Sequence, residues 1–411
     1  MTHAGTLHPP RRAALAFIFV TVLLDMLALG MVVPVLPHLI EDFLGGDTPR
    51  AALLVGYFGT VWALMQFFAM PVMGALSDRF GRRPVILLSN LGLGLDYVLM
   101  ALAPNLWWLF VGRLISGVTA ASVSTAMAYV ADVTPAERRA QSYGLIGVAF
   151  GIGFVLGPAV GGLLGSMDPR LPFWAAAAFS LANAAYGFFV LPESLPPARR
   201  RPFAWRRANP VGSLRFLRAH REVSGLAVAA FLSNLSHAVL PAVFVLFAAH
   251  AYGWGEKEVG LALAGVGITS ALVQGVLVGP LVRRFGERRV MIAGLLAGTV
   301  GFLMYALAPS GAWFLAAIPV VGLWGLTGPA SQGIMTTAVG PSAQGELQGA
   351  MGSLAGISMM IGPTLFAAVF AYSIRDGSVM HFSGAAYALA ALLLAVAALI
   401  AERTTRRWSP V

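Results

Sequence analysis

Gly74-Ala-Leu-Ser-Asp78-Arg79-Phe-Gly81-Arg82-Arg83-Pro84 is a short polar stretch between two long apolar runs, 51–75 and 84–103. A hydrocarbon core about 30 Å thick takes about 20 helical residues, so each run is long enough to cross a bilayer and the stretch between them is a tight loop on one membrane face. Working outward, apolar runs of this kind recur at 13–37, 51–75, 84–103, 106–131, 141–164, 172–191, 222–248, 257–281, 289–308, 311–339, 345–373 and 381–401, here numbered spans 1 to 12. The 411 residues are 58% apolar and 11% charged, with a mean hydropathy of +0.79. A water-soluble domain does not carry that balance, and the fold class expected is an all-α membrane protein of twelve transmembrane helices.

The net charge of +10 has a topological source. With both termini on the cytoplasmic side, every basic residue except Arg50, Arg113, Arg170, Lys257 and Arg375 falls in a cytoplasmic segment, as the positive-inside bias of membrane proteins requires. The basic surplus therefore addresses anionic lipid headgroups, and nucleic acid is not an expected partner. Span 1 follows Arg11 and Arg12, lacks a small-residue cleavage site and contains Asp25, so it reads as a retained helix of an inner-membrane protein rather than a secretory signal. There is no cysteine, which excludes disulfides and thiolate chemistry.

The chain is duplicated. Ala101-Leu-Ala-Pro104 recurs 205 residues on as Ala306-Leu-Ala-Pro309, and at the same offset Gly157-Pro158 recurs as Gly362-Pro363, Gly74 as Gly279, Gly81 as Gly286, Gly117 as Gly322 and Gly144 as Gly349. The only long polar connection lies between the repeats, so the expected domains are an N-terminal six-helix bundle, 1–195, a cytoplasmic linker, 196–221, and a C-terminal six-helix bundle, 222–411. Two parallel repeats make pseudo-symmetric bundles whose rocking alternates access to a midplane cavity.

Asp25 in span 1, Asp96 in span 3 and Arg113 in span 4 lie within apolar stretches. A charge at mid-helix costs roughly 2.5 to 3.5 kcal/mol on insertion scales, so each must face a wet cavity, pair, or stay neutral, and all three options suit proton coupling. At 1.5 Å rise per residue Asp25 is about 18 Å from Pro37, Asp96 about 12 Å from Pro104, and Arg113 about 10 Å from the start of span 4, so the three share similar depths. Arg113 can then pair with one acid while the other is left to take up and release a proton. Bracing of helices is the competing role for each. Span 5 carries Gly153, Gly157, Pro158, Gly161 and Gly162, small residues at four-residue spacing that form a smooth face for close packing beside a proline bend. Gln66, Asn234, His237, Gln274 and Gln332 are polar groups inside apolar spans, able to contact a ligand or to bond helix to helix, and His237 can also join a proton route.

The loop quoted at the start resembles the signature loop of the major facilitator superfamily, G-x-L-x-D-R-x-G-R-[RK], at every position, with Gly279-Pro-Leu-Val-Arg283-Arg284-Phe-Gly286-Glu-Arg288-Arg289 as its echo. The resemblance implies the major facilitator fold. It implies too that Gly74, Asp78, Arg79, Gly81, Arg82, Arg83 and Asp132 form a conformational latch, with Asp78 against a helix N-terminus of the other half and Arg79 or Arg82 paired with Asp132. The span 5 glycines resemble the motif that marks proton-linked antiporters in that superfamily. Arg113 with Gly117 resembles the basic motif of span 4 in the same exporters.

Within that group the chain is most similar to tetracycline efflux pumps, through Leu24-Asp25-Met-Leu-Ala-Leu-Gly30, Pro34-Val-Leu-Pro37, Asp96-Tyr97-Val-Leu-Met-Ala-Leu-Ala-Pro104, Gly112-Arg113-Leu-Ile-Ser-Gly117, Ala131-Asp132-Val-Thr, Gly286-Glu-Arg-Arg289 and Gln344-Gly-Glu-Leu-Gln-Gly349. That likeness implies a monomer exchanging a small drug for protons, with functional acids at Asp25 and Asp96, no resident cofactor, and a cargo chelated to a divalent cation. Those pumps carry a further acid in span 9, where this chain reads Leu296-Ala-Gly298-Thr, and a histidine in span 8, where it reads Ile268-Thr-Ser270-Ala. A proton-coupled metabolite symporter of the same fold is the alternative, and the span 5 motif opposes it. An enzyme is disfavoured, since zinc H-E-x-x-H, G-x-S-x-G and phosphate-loop motifs are missing. A receptor would bind ligand without moving it.

Overall fold

The computed structural model describes residues 9–120, 122–135, 139–200, 217, 221–339, 343–375, 377–378 and 381–406. Among them there is no strand. Twelve helical segments are long and apolar enough to cross a membrane: Leu15–Phe43, Thr48–Phe80, Arg82–Ala101, Leu106–Val133, Ser142–Gly165, Leu171–Val190, Val223–Tyr252, Glu256–Phe285, Glu287–Leu307, Gly311–Val339, Gln344–Ile374 and Ala385–Thr405. These are spans 1 to 12 of the sequence, and of the 196–221 linker only residues 196–200, 217 and 221 are described.

Span 1 does not end at Pro37, as its sequence suggests. Pro34 has no N–H to give and bends the chain. Val33 N and Val35 N bond back to Gly30 O and Val32 O, at 3.3 and 3.2 Å, and the helix resumes over Leu36–Phe43. It stops where Gly45 and Gly46 take positive φ, 66° and 87°, which other residues adopt only with strain. Asp25 therefore lies deeper in span 1 than the distance to Pro37 indicates. Span 8 contains a π-helical turn, Val273–Leu277, and span 10 a 3-10 turn, Leu323–Leu326, flanked and interrupted by Gly322 and Gly325. Such irregular turns in long helices are frequent at functional sites.

By contacts the chain forms two units, Met1–Val35 with Phe68–Asn209, and Leu36–Phe67 with Pro210–Val411. In the first unit span 1 packs on spans 5 and 6, and span 3 on span 6. Its core includes Phe17, Ile18, Val22, Ile86, Tyr129 and Ile146. In the second, spans 9 and 7 pack on span 12, and Tyr305 stacks on Phe314 with centroids 3.9 Å apart beside Phe247 and Tyr387. The N-terminal part of span 2, up to Phe67, belongs to this unit, where Thr60 Oγ1 donates to Met360 O at 2.9 Å and lies 2.8 Å from Thr364 Oγ1.

The duplication is visible as repeated packing inside each unit. Gly157 backs onto Gly30 of span 1, and Gly362 onto Leu235 and Ala238 of span 7, so both members of each contact move by the same offset. Gly81 and Gly286 both carry a positive φ, 108° and 79°, where the chain turns into spans 3 and 9.

Candidate functional site

Asp25 is buried in span 1 at 8% exposure, and a fully buried amide from span 6 meets it: Asn183 Nδ2 donates to Asp25 Oδ1 and to Thr21 O, each at 3.2 Å. Asp96, on the buried face of span 3, is 1% exposed, and neither of its carboxylate oxygens has a hydrogen-bond partner among the described residues. The room it occupies exists because span 4 offers a glycine there; a Cβ on Gly112 would come within 3.0 Å of Asp96 Oδ1 and 2.6 Å of Met100 Cγ. Arg113, next along span 4, interacts electrostatically with Asp96. The phenol of Tyr97 lies within electrostatic reach of Arg113, Asp96 and Asp25; of the two acids it is Asp96 that Arg113 acts on, while Asp25 has Asn183.

Span 5 closes the other side of span 1. A Cβ on Gly153 would meet Met26 Cβ at 2.5 Å and Leu23 O and Leu27 N at 3.1 Å. One on Gly157 would come within 2.8 Å of Gly30 Cα, and one on Gly161 would run into the backbone of Met31. Gly162 is buried, and the Pro158 ring lies against Gly30. The glycine face is a backbone-to-backbone seam along the helix that carries Asp25.

In the loop between spans 2 and 3 the organising side chain is Arg82, 9% exposed. It joins Asp78 Oδ1 at 2.7 Å, Asp132 Oδ2 at 3.2 Å and Ser77 Oγ at 2.5 Å. Of the two candidates for Asp132 it is thus Arg82 that pairs, while Arg79 lies over the Phe80 ring at 5.1 Å. Arg83 donates to Phe188 O at 2.6 Å. Glu193, past the end of span 6, caps span 3 by accepting from Arg82 N at 2.9 Å and Arg83 N at 3.3 Å, and a Cβ on Gly81 would collide with that carboxylate. Around Gly74 there is open space.

The second unit holds a cavity of about 580 Å³ lined by spans 7 to 11, within the size range of small-molecule sites. Asn234, His237, Gln274 and Gln332 line it; Gln66 is not among the lining residues. The irregular turns of spans 8 and 10 border it, and Trp324 donates its indole N–H to Ser233 Oγ at 3.0 Å with its ring 5.5 Å from that of His237. Gln274 Nε2 donates to Ser270 Oγ at 2.8 Å. Among the described residues no Asp, Glu, Lys or Arg lines the cavity, whereas Asp25, Asp96 and Arg113 belong to the first unit. Among the described residues no cluster of His, Cys, Asp or Glu could hold a metal ion.

Asn183, Glu193 and Trp324 escaped the sequence reading. Asn183 had a signal, being the lone amide in span 6, whereas Glu193 and Trp324 gain their roles only from partners far along the chain.

The sequence matches the family model of the Major Facilitator Superfamily over residues 18–236 and 226–410. It is 40% identical over 360 residues to the class C tetracycline resistance protein of Escherichia coli, spanning 88% of this chain and 90% of that protein. It is 30% identical over 364 residues to hippocampus abundant transcript 1 protein of Homo sapiens, spanning 85% and 72%. Of solved structures, the human organic anion transporter MFSD10 matches with a TM-score of 0.70 at 25% identity, covering 96% of this chain and all of that one. The nucleoside transporter NupG matches with a TM-score of 0.79 at 13% identity, with 96% and 100% covered, a likeness of fold alone.

Proposed function

Because the chain belongs to the major facilitator superfamily and stands close to its tetracycline resistance proteins, we propose that it is a proton-coupled antiporter exporting an amphipathic, drug-like small molecule, tetracycline or a related compound. The observation that carries this reading is the burial of Asp25 and Asp96 inside apolar spans, with the antiporter-like glycine seam packed along span 1, the helix that carries Asp25. A carboxyl group is retained at such depth, against a cost of several kcal/mol, where it binds and releases protons.

In this reading Asp25 and Asp96 load and unload protons, Arg113 sets the electrostatic balance at Asp96, and cargo engages the cavity through Asn234, Gln274, Gln332 and the His237–Trp324 pair. Proton and cargo favour different access states, so each drives the other out as the six-helix bundles, 1–195 and 222–411, tilt about the 196–221 linker. The membrane potential adds about 2.3 kcal/mol per net charge per 100 mV. In this reading Arg82, bound to Asp78 and Asp132, serves as the centre of the latch. The protein acts as a monomer in the plasma membrane with both termini cytoplasmic. Protons are its coupling ion, it needs no resident cofactor, and a divalent cation enters only as part of the cargo.

A drug-susceptibility panel in a pump-deficient host tests the reading. Expression is expected to raise the inhibitory concentration of at least one amphipathic drug, and Asp25→Asn to abolish the gain. Drug accumulating inside expressing cells would establish uptake and overturn export.

A further inference from the structure

We infer that Asn183 is a positioning residue for Asp25, locking its carboxyl group in one orientation and supplying, in place of water, the hydrogen-bond donor that a proton site at this depth requires. The inference rests on the proton-coupling reading of Asp25 above.

The geometry is specific. Asn183 Nδ2 is 3.2 Å from both Thr21 O and Asp25 Oδ1. A backbone carbonyl only accepts, so Thr21 O fixes which end of the amide faces Asp25, and that end is the donor. Asn183 is 0% exposed, and its Oδ1 has no partner among the described residues; the same holds for Thr21 Oγ1 and for Ser180 Oγ one helical turn away. Mere packing would be served as well by leucine, without the roughly 1–3 kcal/mol that an unpaired buried polar group costs. The amide is therefore retained for the bond it makes.

The surroundings leave this task to span 6. Span 5 brings no titratable side chain between Gly144 and Gly165. From spans 3 and 4 the groups facing this region are Asp96, Tyr97 and Arg113, of which Arg113 acts on Asp96. The duplicated half carries the same message: at the offset of 205 residues Ala230 stands for Asp25 and Ala388 for Asn183, so acid and amide are present together or replaced together.

The test uses the purified full chain in lipid and infrared spectroscopy of its carboxyl C=O stretches, with the Asp25 band assigned by its disappearance in Asp25→Asn. In Asn183→Leu the band is expected to move to higher frequency, as for a carbonyl losing a donor, and Asn183→Gln should return it towards the wild-type position. Asn183→Ala serves should the leucine variant fail to fold. A band unmoved in the folded variant overturns the inference. Should Asp25→Asn export normally, the antiport reading fails, while the band position still decides the Asn183 contact.

Discussion

Adding one methyl group at the seam between spans 1 and 5 should separate the two helices. A Cβ at Gly157 would lie 2.8 Å from Gly30 Cα, 2.9 Å from Leu27 O and 3.1 Å from Gly30 C, all backbone atoms that no rotamer change can move. Carbon atoms rest at about 3.5–4.0 Å, so span 5 must retreat by roughly 0.7–1.2 Å over the turn that packs on Leu27 and Gly30. Overpacking of this kind costs about 1–3 kcal/mol. Gly151→Ala is the control, since the same helix leaves nothing within 4 Å of that position. There the only effect is the helix-propensity gain of alanine, about 1 kcal/mol. Thermal unfolding of the purified protein, followed by size-exclusion chromatography after heating, should rank Gly157→Ala below wild type and Gly151→Ala at or above it. Drug export in cells should fall for Gly157→Ala alone. Equal thermal stability of the two variants would refute the seam as the determinant of how closely span 1 is held.

Arg82→Lys keeps one charge but cannot hold Asp78 and Asp132 together. Transport should fall several-fold with membrane insertion intact, and the stability loss should stay near 1–2 kcal/mol because the Asp78 side chain is 42% exposed. Glu193→Ala removes the acceptor for two amides at the start of span 3 and should cost about 1 kcal/mol of thermal stability. Trp324→Phe forfeits the bond to Ser233, worth about 1 kcal/mol, and should weaken cargo affinity several-fold with little change in maximal rate, as read from export kinetics.

Hydropathy alone laid out the crossings, because lipid obliges every backbone amide to bond within its own helix and so makes span length nearly independent of tertiary detail. Breaks inside spans were less legible. Pro34 bends span 1 without ending it, and Pro280, which cannot donate to the Val276 carbonyl, loosens span 8 into the π turn at Val273–Leu277 without ending it. Asp25, Asp96 and Arg113 were conspicuous because charge at lipid depth is rare. Asn183 was not, since a single amide in a helix is ordinary until its partner is known. Gln66, Gln274 and Gln332 looked equivalent as polar residues in apolar spans; only the fold sorts the latter two into the cavity and leaves the first out.

The most direct test reconstitutes the purified protein in liposomes with a transported drug and imposes a pH gradient, then collapses both gradient and voltage with ionophores. Uphill drug movement should track the gradient, stop when it is collapsed, and be absent in Asp25→Asn. Continued uphill movement without any proton gradient, or in Asp25→Asn, would contradict a proton-driven exchange at that carboxyl group.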